Sequence, residues 1–234
     1  MDKDLGKKNA AEEAARYVED GMTVGIGTGS TAAFFIDCLK DRIAQGWRLR
    51  GVPTSEDSRI KAEHAGVEII VPDETTRIDI AIDGTDEADP ALNLIKGGGG
   101  ALLREKIVAA AAERFIVIAD KSKRVATLGA FALPIEIEPF GWSLTVRAIR
   151  DRLSDLKFPS AELVLRAQNS APILSDGGHF IVDCALGRID GPSALDAAMR
   201  DIPGVIETGL FCGLADIAIF GDEDGVSIAE PSKF

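Results

Sequence analysis

The sequence predicts an α/β chain: a mostly parallel sheet flanked by helices, with a smaller α+β unit inserted late. Three observations carry this. Short apolar runs alternate with helical stripes through the first half of the chain, as in a sheet built by crossover connections. One strand-to-helix junction is glycine-rich, the mark of a Rossmann-like phosphate-binding corner. After about residue 128 the order changes to strand, helix, strands, helix. Residues 1–128 plus 206–234 are therefore expected to form the Rossmann-like domain, and 129–205 the small α+β domain.

The elements follow in order. Residues 4–19 read as a helix with Ala11, Ala14, Ala15 and Val18 on one stripe and Lys7 on its first turn, ended by Asp20-Gly21. Residues 22–27 read as a buried strand. Gly27-Thr28-Gly29-Ser30-Thr31 then turns into a helix with Ala32, Phe35, Ile36, Leu39 and Ile43 as its apolar stripe. This turn fits the dinucleotide fingerprint GxGxxA, so a nicotinamide-cofactor enzyme has to be weighed. The next strand, residues 49–53, decides against it: it ends in Thr54-Ser55, where such enzymes carry an acidic group for the ribose hydroxyls. Those hydroxyls suit a phosphorylated ligand, and Ser55 suits equally the N-cap of the following helix. Strands are expected at 67–71, 79–82, 115–119 and 132–137, and near Leu163 and Phe180. Helices are expected near 143–154 and 193–200. Residues 202–206, 217–220 and 226–228 read as strands returning to the main sheet.

The chemistry gathers at two stretches. In Lys96-Gly97-Gly98-Gly99-Gly100, four glycines follow a lysine and run into a helix that carries Glu105. Glycines bring bare N–H groups close to a ligand, and a helix N-terminus adds more N–H groups and a positive dipole end. A carboxylate beside such a cradle is the arrangement that proton abstraction needs. The same run also reads as a flexible linker before a solvated helix. On a helical wheel Glu105 lies off the stripe of Leu103, Ile107 and Ala111, which places it away from the core. The second stretch, Asp83-Gly84-Thr85-Asp86-Glu87-Ala88-Asp89, holds four acids at a glycine turn. It can bind a divalent metal, hold sugar hydroxyls and move protons, or be a solvated loop; metal is the weakest reading, because too few oxygen ligands are patterned. His64 and His179 read as ordinary polar residues. Asp83 and Asp86, three apart, are expected to repel and so raise one carboxyl into the range of a general acid.

Composition excludes several classes. With 234 residues, 46% of them apolar, the chain can bury a full core. A formal net charge of −12 argues against nucleic acid as a partner. Cys38, Cys184 and Cys212 form no CxxC and suit reduced thiols. No apolar run reaches membrane-spanning length, and residues 1–8 lack the apolar core of a signal peptide, so a cytoplasmic protein without membrane contact is expected.

The succession Gly25 to Ala32, Asp83-Gly84-Thr85-Asp86-Glu87, Lys96 to Ile107 and Ala119-Asp120-Lys121-Ser122-Lys123 resembles ribose-5-phosphate isomerase of the A type. The likeness continues in Ile202-Pro203-Gly204-Val205 and Gly209-Leu210-Phe211, and is weakest over 139–190. The resemblance implies interconversion of ribose 5-phosphate and ribulose 5-phosphate through an enediolate, within the pentose phosphate pathway, with no metal or organic cofactor. It implies Glu105 as base, Asp83 and Asp86 as the active-site aspartates, Lys96 as oxyanion stabiliser and the amides of Gly97, Gly98, Gly99 and Gly100 nearby. It places Lys7, Lys123 and the first glycine turn (Gly27, Thr28, Gly29, Ser30, Thr31) on the sugar phosphate, with Lys121 the weaker phosphate lysine. A homodimer or homotetramer is usual for that family. Pro53-Thr54-Ser55-Glu56-Asp57 departs from the more Ser-rich form of relatives. The rival readings are a sugar-phosphate-binding regulatory module, an amino-sugar phosphate deaminase and a coenzyme A transferase. Against the module stand a carboxylate at the base position and no DNA-binding segment ahead of the first helix.

Overall fold

Alternation in the sequence becomes alternation in space. The computed structural model describes residues 2–231. The first half runs α1 (Lys3–Ala15), β1 (Thr23–Ile26), α2 (Ser30–Ala44), β2 (Arg50–Pro53), α3 (Glu56–His64), β3 (Glu68–Ile69) and β4 (Ile80–Gly84). Two short strands follow, β5 (Glu87–Ala88) and β6 (Leu94–Ile95), then α4 (Leu102–Ala111) and β7 (Phe115–Asp120). The second half runs β8 (Leu133–Ile137), α5 (Trp142–Asp155), β9 (Glu162–Leu165), β10 (Ala167–Gln168), β11 (Ala171–Pro172), β12 (Phe180–Ala185) and α6 (Pro192–Arg200). It closes with β13 (Val205–Thr208), β14 (Leu210–Phe211), β15 (Ile217–Asp222) and β16 (Gly225–Ala229).

The main sheet has the order β16-β15-β7-β4-β1-β2-β3. Its neighbours are parallel except β16, which pairs antiparallel with β15 at the edge. Side chains alternate across it with the strand period of two. Ile80, Ile82, Ile116, Ile118, Ile217 and Ile219 face one core with the alanines of α1 and with Phe35 and Leu39 of α2. Ala81, Phe115, Val117, Ala218 and Phe220 face the opposite core with Val108 and Ala109 of α4. Each fully buried isoleucine contributes about 1.5–3 kcal/mol. Gly6 and Gly221 let α1 sit directly on β15: a Cβ at Gly6 would lie 2.6 Å from the Gly221 carbonyl oxygen. That contact brings the first turns of α1 to the rim of the sheet.

A second sheet, β13-β8-β12-β9, is antiparallel throughout and packs on α5 and α6 over its own core of Leu133, Ile135, Ile149, Val182, Leu195 and Met199. Here the structure corrects the sequence reading. Residues 205–208 do not return to the main sheet; they pair with β8, while 217–222 and 225–229 do return. The strand expected over 67–71 shrinks to two residues. A three-stranded sheet, β14-β6-β5, was not expected, because its strands are too short to show a period.

The buried face of α4 also differs from the stripe of Leu103, Ile107 and Ala111. Leu102, Glu105, Val108 and Ala109 form its buried face, and Ile107 is exposed. Glu105 therefore points inward, at the carboxyl ends of β1, β4 and β7, where a parallel sheet presents its ligand site.

Candidate active site

The centre of the site is one buried ammonium between two buried carboxylates. Lys96 leaves the end of β6, held by its N–H on the Gly209 carbonyl at 2.9 Å. Its Nζ donates to the Gly84 carbonyl at 2.5 Å and lies 3.0 Å from Asp83 Oδ2 and 3.5 Å from Glu105 Oε2. Lys96, Asp83 and Glu105 are 2%, 3% and 4% exposed. Asp83, at the end of β4, accepts N–H groups from Thr28 at 3.0 Å and Gly84 at 2.7 Å on its other oxygen. Glu105 Oε2 makes no hydrogen bond.

Two carboxylates share one cation here, and the electrostatics follow from that. Burial pushes the Glu105 carboxyl up to about 8; Lys96 opposes this, and Asp83 and Asp86 add to it. Burial also raises Asp83, against the pull of Lys96 and of the Thr28 and Gly84 N–H groups. The expected repulsion from Asp86 is not the cause. Burial by itself would lower Lys96, but the adjacent Asp83 and Glu105 outweigh it and raise its affinity for the proton. The ammonium stays charged, and Glu105 is left holding or releasing a proton near neutrality.

Around this centre lies a cleft of about 280 Å³ lined by Lys7, Thr28, Gly29, Ser30, Thr31, Asp86, Lys96, Gly97, Gly98, Gly99, Glu105 and Lys123, among others. Twelve of the sequence-selected side chains and glycines thus meet in one place. Asp86, in the turn after β4, accepts the Gly98 N–H at 2.8 Å. Gly97 and Gly100 adopt φ of +102° and +83°, which side-chain-bearing residues rarely take. Ser30 and Thr31 open α2, whose N-terminus carries no side-chain cap; uncapped N–H groups of this kind suit an anion. Lys7 comes from α1 and Lys123 from the turn after β7.

Three expected residues lie just outside the cleft wall. Gly27 sits beneath it, where a Cβ would come 2.1 Å from Asp83 Oδ1. Asp83 stands behind Lys96. Gly100 lines the adjoining groove with Arg166. Thr54 and Ser55 are buried: both hydroxyls bond the Thr28 hydroxyl, at 2.7 and 2.8 Å, and Ser55 caps α3 by accepting the Ser58 N–H at 3.1 Å. They buttress the loop. Lys121 is turned outward, paired with Asp222 at 2.7 Å. The acidic run divides by role, since Glu87 accepts the Gly129 and Phe131 N–H groups and Asp89 closes its own turn through Ala91 and Asn93.

Lys3, Gly84, Thr85 and Asp120 also line the cleft and were not singled out in the sequence. Lys3 had a readable signal, as it lies one helical turn before Lys7 on the same face. Asp120 had a weaker one, its place at the end of a strand before two lysines.

The family described as Ribose 5-phosphate isomerase A (phosphoriboisomerase A) matches residues 50–225. Ribose-5-phosphate isomerase A of Nitrobacter hamburgensis is 49% identical over 230 residues, covering 98% of this chain and 99% of the relative. A solved D-ribose-5-phosphate isomerase in complex with phospho-erythronic acid superposes with a TM-score of 0.91 at 41% identity, covering 98% of this chain and 100% of the other. Ribose 5-phosphate isomerase from Plasmodium falciparum superposes with a TM-score of 0.93 at 33% identity, covering 99% and 100%. With its sheet, its buried Lys96 pair of carboxylates and its glycine loop all within that match, the chain belongs to the ribose 5-phosphate isomerase A family and is an isomerase.

Proposed function

We propose that Glu105 is the base of the isomerisation, with Lys96 and the glycine loop stabilising the oxyanion it creates. The reaction interconverts ribose 5-phosphate and ribulose 5-phosphate. Glu105 removes the proton on C2 of the open-chain aldose, and the C–H electron pair moves into the C1 carbonyl to give an enediolate. Lys96 and the N–H groups of the loop balance the charge that develops on oxygen. Glu105 then returns the proton to C1, while a proton passes from the C2 oxygen to the C1 oxygen. Asp86 faces the cleft and suits that transfer; Asp83, behind Lys96, suits holding the ammonium in place. A carboxylate with a proton affinity near neutrality is matched to both halves of this shuttle.

The observation that carries the reading is the buried Lys96 ammonium, 3.0 Å from Asp83 and 3.5 Å from Glu105, at the floor of a cleft roofed by glycines. Lys7, Lys123, Ser30, Thr31 and the start of α2 serve the phosphate. The phospho-erythronic acid in the solved relative, a four-carbon phosphorylated acid, supports a sugar phosphate as ligand. No observation favours the regulatory-module, deaminase or transferase readings.

Glu105→Gln tests the assignment. It keeps size and removes proton acceptance, so turnover should fall roughly 10²–10⁴-fold while binding of phospho-erythronic acid changes little. Wild type should wash deuterium from heavy water into the product and the variant should not. Near-normal turnover with continued exchange would move the base to another carboxylate.

A homodimer or homotetramer in the cytoplasm completes the reading. The three free cysteines suit a reducing compartment. Phe140 is 90% exposed beside exposed Trp142 and Leu144, an apolar group of the kind that a subunit contact covers. Sedimentation equilibrium should give a mass of two or four chains; a monomer at micromolar concentration would refute self-association.

A further inference from the structure

The glycine loop has too little of its own to hold its shape. Four glycines in succession carry the largest backbone entropy a chain can have, and Gly97 and Gly100 stand at positive φ. Inside the loop one hydrogen bond closes a turn, from the Gly100 N–H to the Gly97 carbonyl at 3.0 Å. The remaining restraints come from outside it. One is Asp86, on the cleft side, accepting the Gly98 N–H. The other is Arg166, which directly follows β9 of the small sheet: its Nη1 donates to the Gly97 carbonyl at 2.9 Å and to the Gly98 carbonyl at 3.2 Å.

Arg166 is itself fixed. Its Nε donates to Asp183 Oδ2 at 2.9 Å and its Nη2 to Asp183 Oδ1 at 2.5 Å, a two-pronged pair from β12. Its backbone is pinned on both sides, the N–H to the Ile181 carbonyl at 2.8 Å and the carbonyl to the Ile173 N–H at 3.0 Å. The side chain is mostly buried. A guanidinium so held offers its remaining N–H groups at a set position, which a lysine could not.

We propose that Arg166 is a positioning residue for the isomerisation, braced by Asp183, which sets the peptide planes of the glycine loop. In a trans peptide the C=O and N–H point in opposite directions. Holding the Gly97 carbonyl on Arg166 turns the Gly98 N–H the other way, onto Asp86, as observed. Holding the Gly98 carbonyl turns the Gly99 N–H to that same side, toward the reacting oxygens. Donation by a cation to a peptide carbonyl also polarises the N–H of the same peptide and strengthens it as a donor. The small domain thereby acts on the chemistry without touching the sugar phosphate.

The proposal rests on the reading that the loop amides serve the oxyanion, and the test separates the two. kcat and KM would be measured for Arg166→Ala, Arg166→Lys, Asp183→Asn and Lys96→Met, with thermal melts of each. Arg166→Ala should lower kcat about 10- to 100-fold, the scale of an ångström-sized misplacement, and leave KM within about threefold. Added guanidinium ion at millimolar concentration should restore a large part of the loss in Arg166→Ala and none in Lys96→Met. Asp183→Asn should lie between wild type and Arg166→Ala. If Arg166→Ala does not fold, Arg166→Lys carries the test with the same expectation for kcat and KM. A kcat within about twofold of wild type in the folded Arg166 variant, a rise in KM alone, or a loss in Arg166→Ala that guanidinium leaves unrepaired would overturn the positioning role. If Lys96→Met also keeps its kcat, the oxyanion reading fails as well; if only the Arg166 variants keep it, the clamp alone is wrong.

Discussion

At Glu105 a carboxylate is held where water would otherwise solvate it, and this has a pH signature. Its ordinary value is 4.5 and burial pushes it up to about 8, so between those values the folded chain binds a proton that the unfolded chain has released. The sign follows. The stability it contributes is complete below about 4.5 and is lost as pH rises through about 8. Glu105→Gln is neutral throughout and loses nothing, so its melting temperature relative to wild type should climb between pH 5 and pH 9. A constant difference across that range would mean that Glu105 titrates normally. The acid limb of kcat/KM for wild type should likewise fall near 8, well above the carboxylate range. Asp83 belongs to the same cluster, but its hydrogen bonds to Thr28 and Gly84 tie it to the scaffold.

Among the elements, α1 and the turn after β7 decide which lysines can meet the ligand. Both Lys7 and Lys121 look suitable in the sequence, each beside other cations in a motif. The close approach at Gly6 and Gly221 brings Lys7 to the cleft, while the single 3₁₀ turn of Lys121–Lys123 sends Lys121 out to Asp222 and Lys123 in. Lys7→Ala should raise KM for ribose 5-phosphate at least several-fold with a smaller change in kcat, as expected for a group that binds ground state and transition state alike. Lys121→Ala should leave both constants within about twofold, because Lys121 is half-exposed on Asp222 and does not line the cleft. Equal effects from the two substitutions would show that the phosphate reaches the wrong side of that turn. For α4, the buried face is not the most apolar one: Glu105 is buried with Leu102, Val108 and Ala109 while Ile107 is exposed.

Over the whole molecule, two sheets with separate cores have to keep one register for the site to exist. Lys106, next to Glu105 on α4, is one tie: its Nζ donates to Glu207 Oε1 at 2.8 Å and to the Thr208 carbonyl at 2.9 Å on β13. Asp196 lies 3.8 Å away, and Arg200 approaches Glu207 at 3.8 Å. Lys106→Met would leave the largely buried Glu207 with the Thr208 N–H at 2.9 Å and that distant Arg200, and should cost about 3 kcal/mol, the low end for breaking a buried pair. Denaturant unfolding would measure it; a loss under about 0.5 kcal/mol would mean that the Lys106 tie adds little to the joining of the two sheets. The net charge of −12 also acts at this scale, since it makes the lysines of the cleft the local exception that an anionic substrate must find.

Continuous apolar runs such as Ile80-Ala81-Ile82 and Phe115-Ile116-Val117-Ile118, alternating with helical stripes, were enough to give a mostly parallel sheet, because a strand buried on both faces is apolar at every position. The motifs were enough to give the family, and with it twelve of the residues that meet in the cleft, though not Lys3 or Asp120. The sequence did not determine which way Glu105 faces, since Ile107 outranks it in apolarity yet lies on the open side of α4. Nor did it determine that residues 205–208 pair with β8, a contact between segments about seventy residues apart that no local period encodes. Arg166 was invisible for the same reason. Its partners Asp183, Gly97 and Gly98 come from two other parts of the chain, and only the packing of the small sheet against the glycine loop makes a surface-like arginine into a support for the reacting centre.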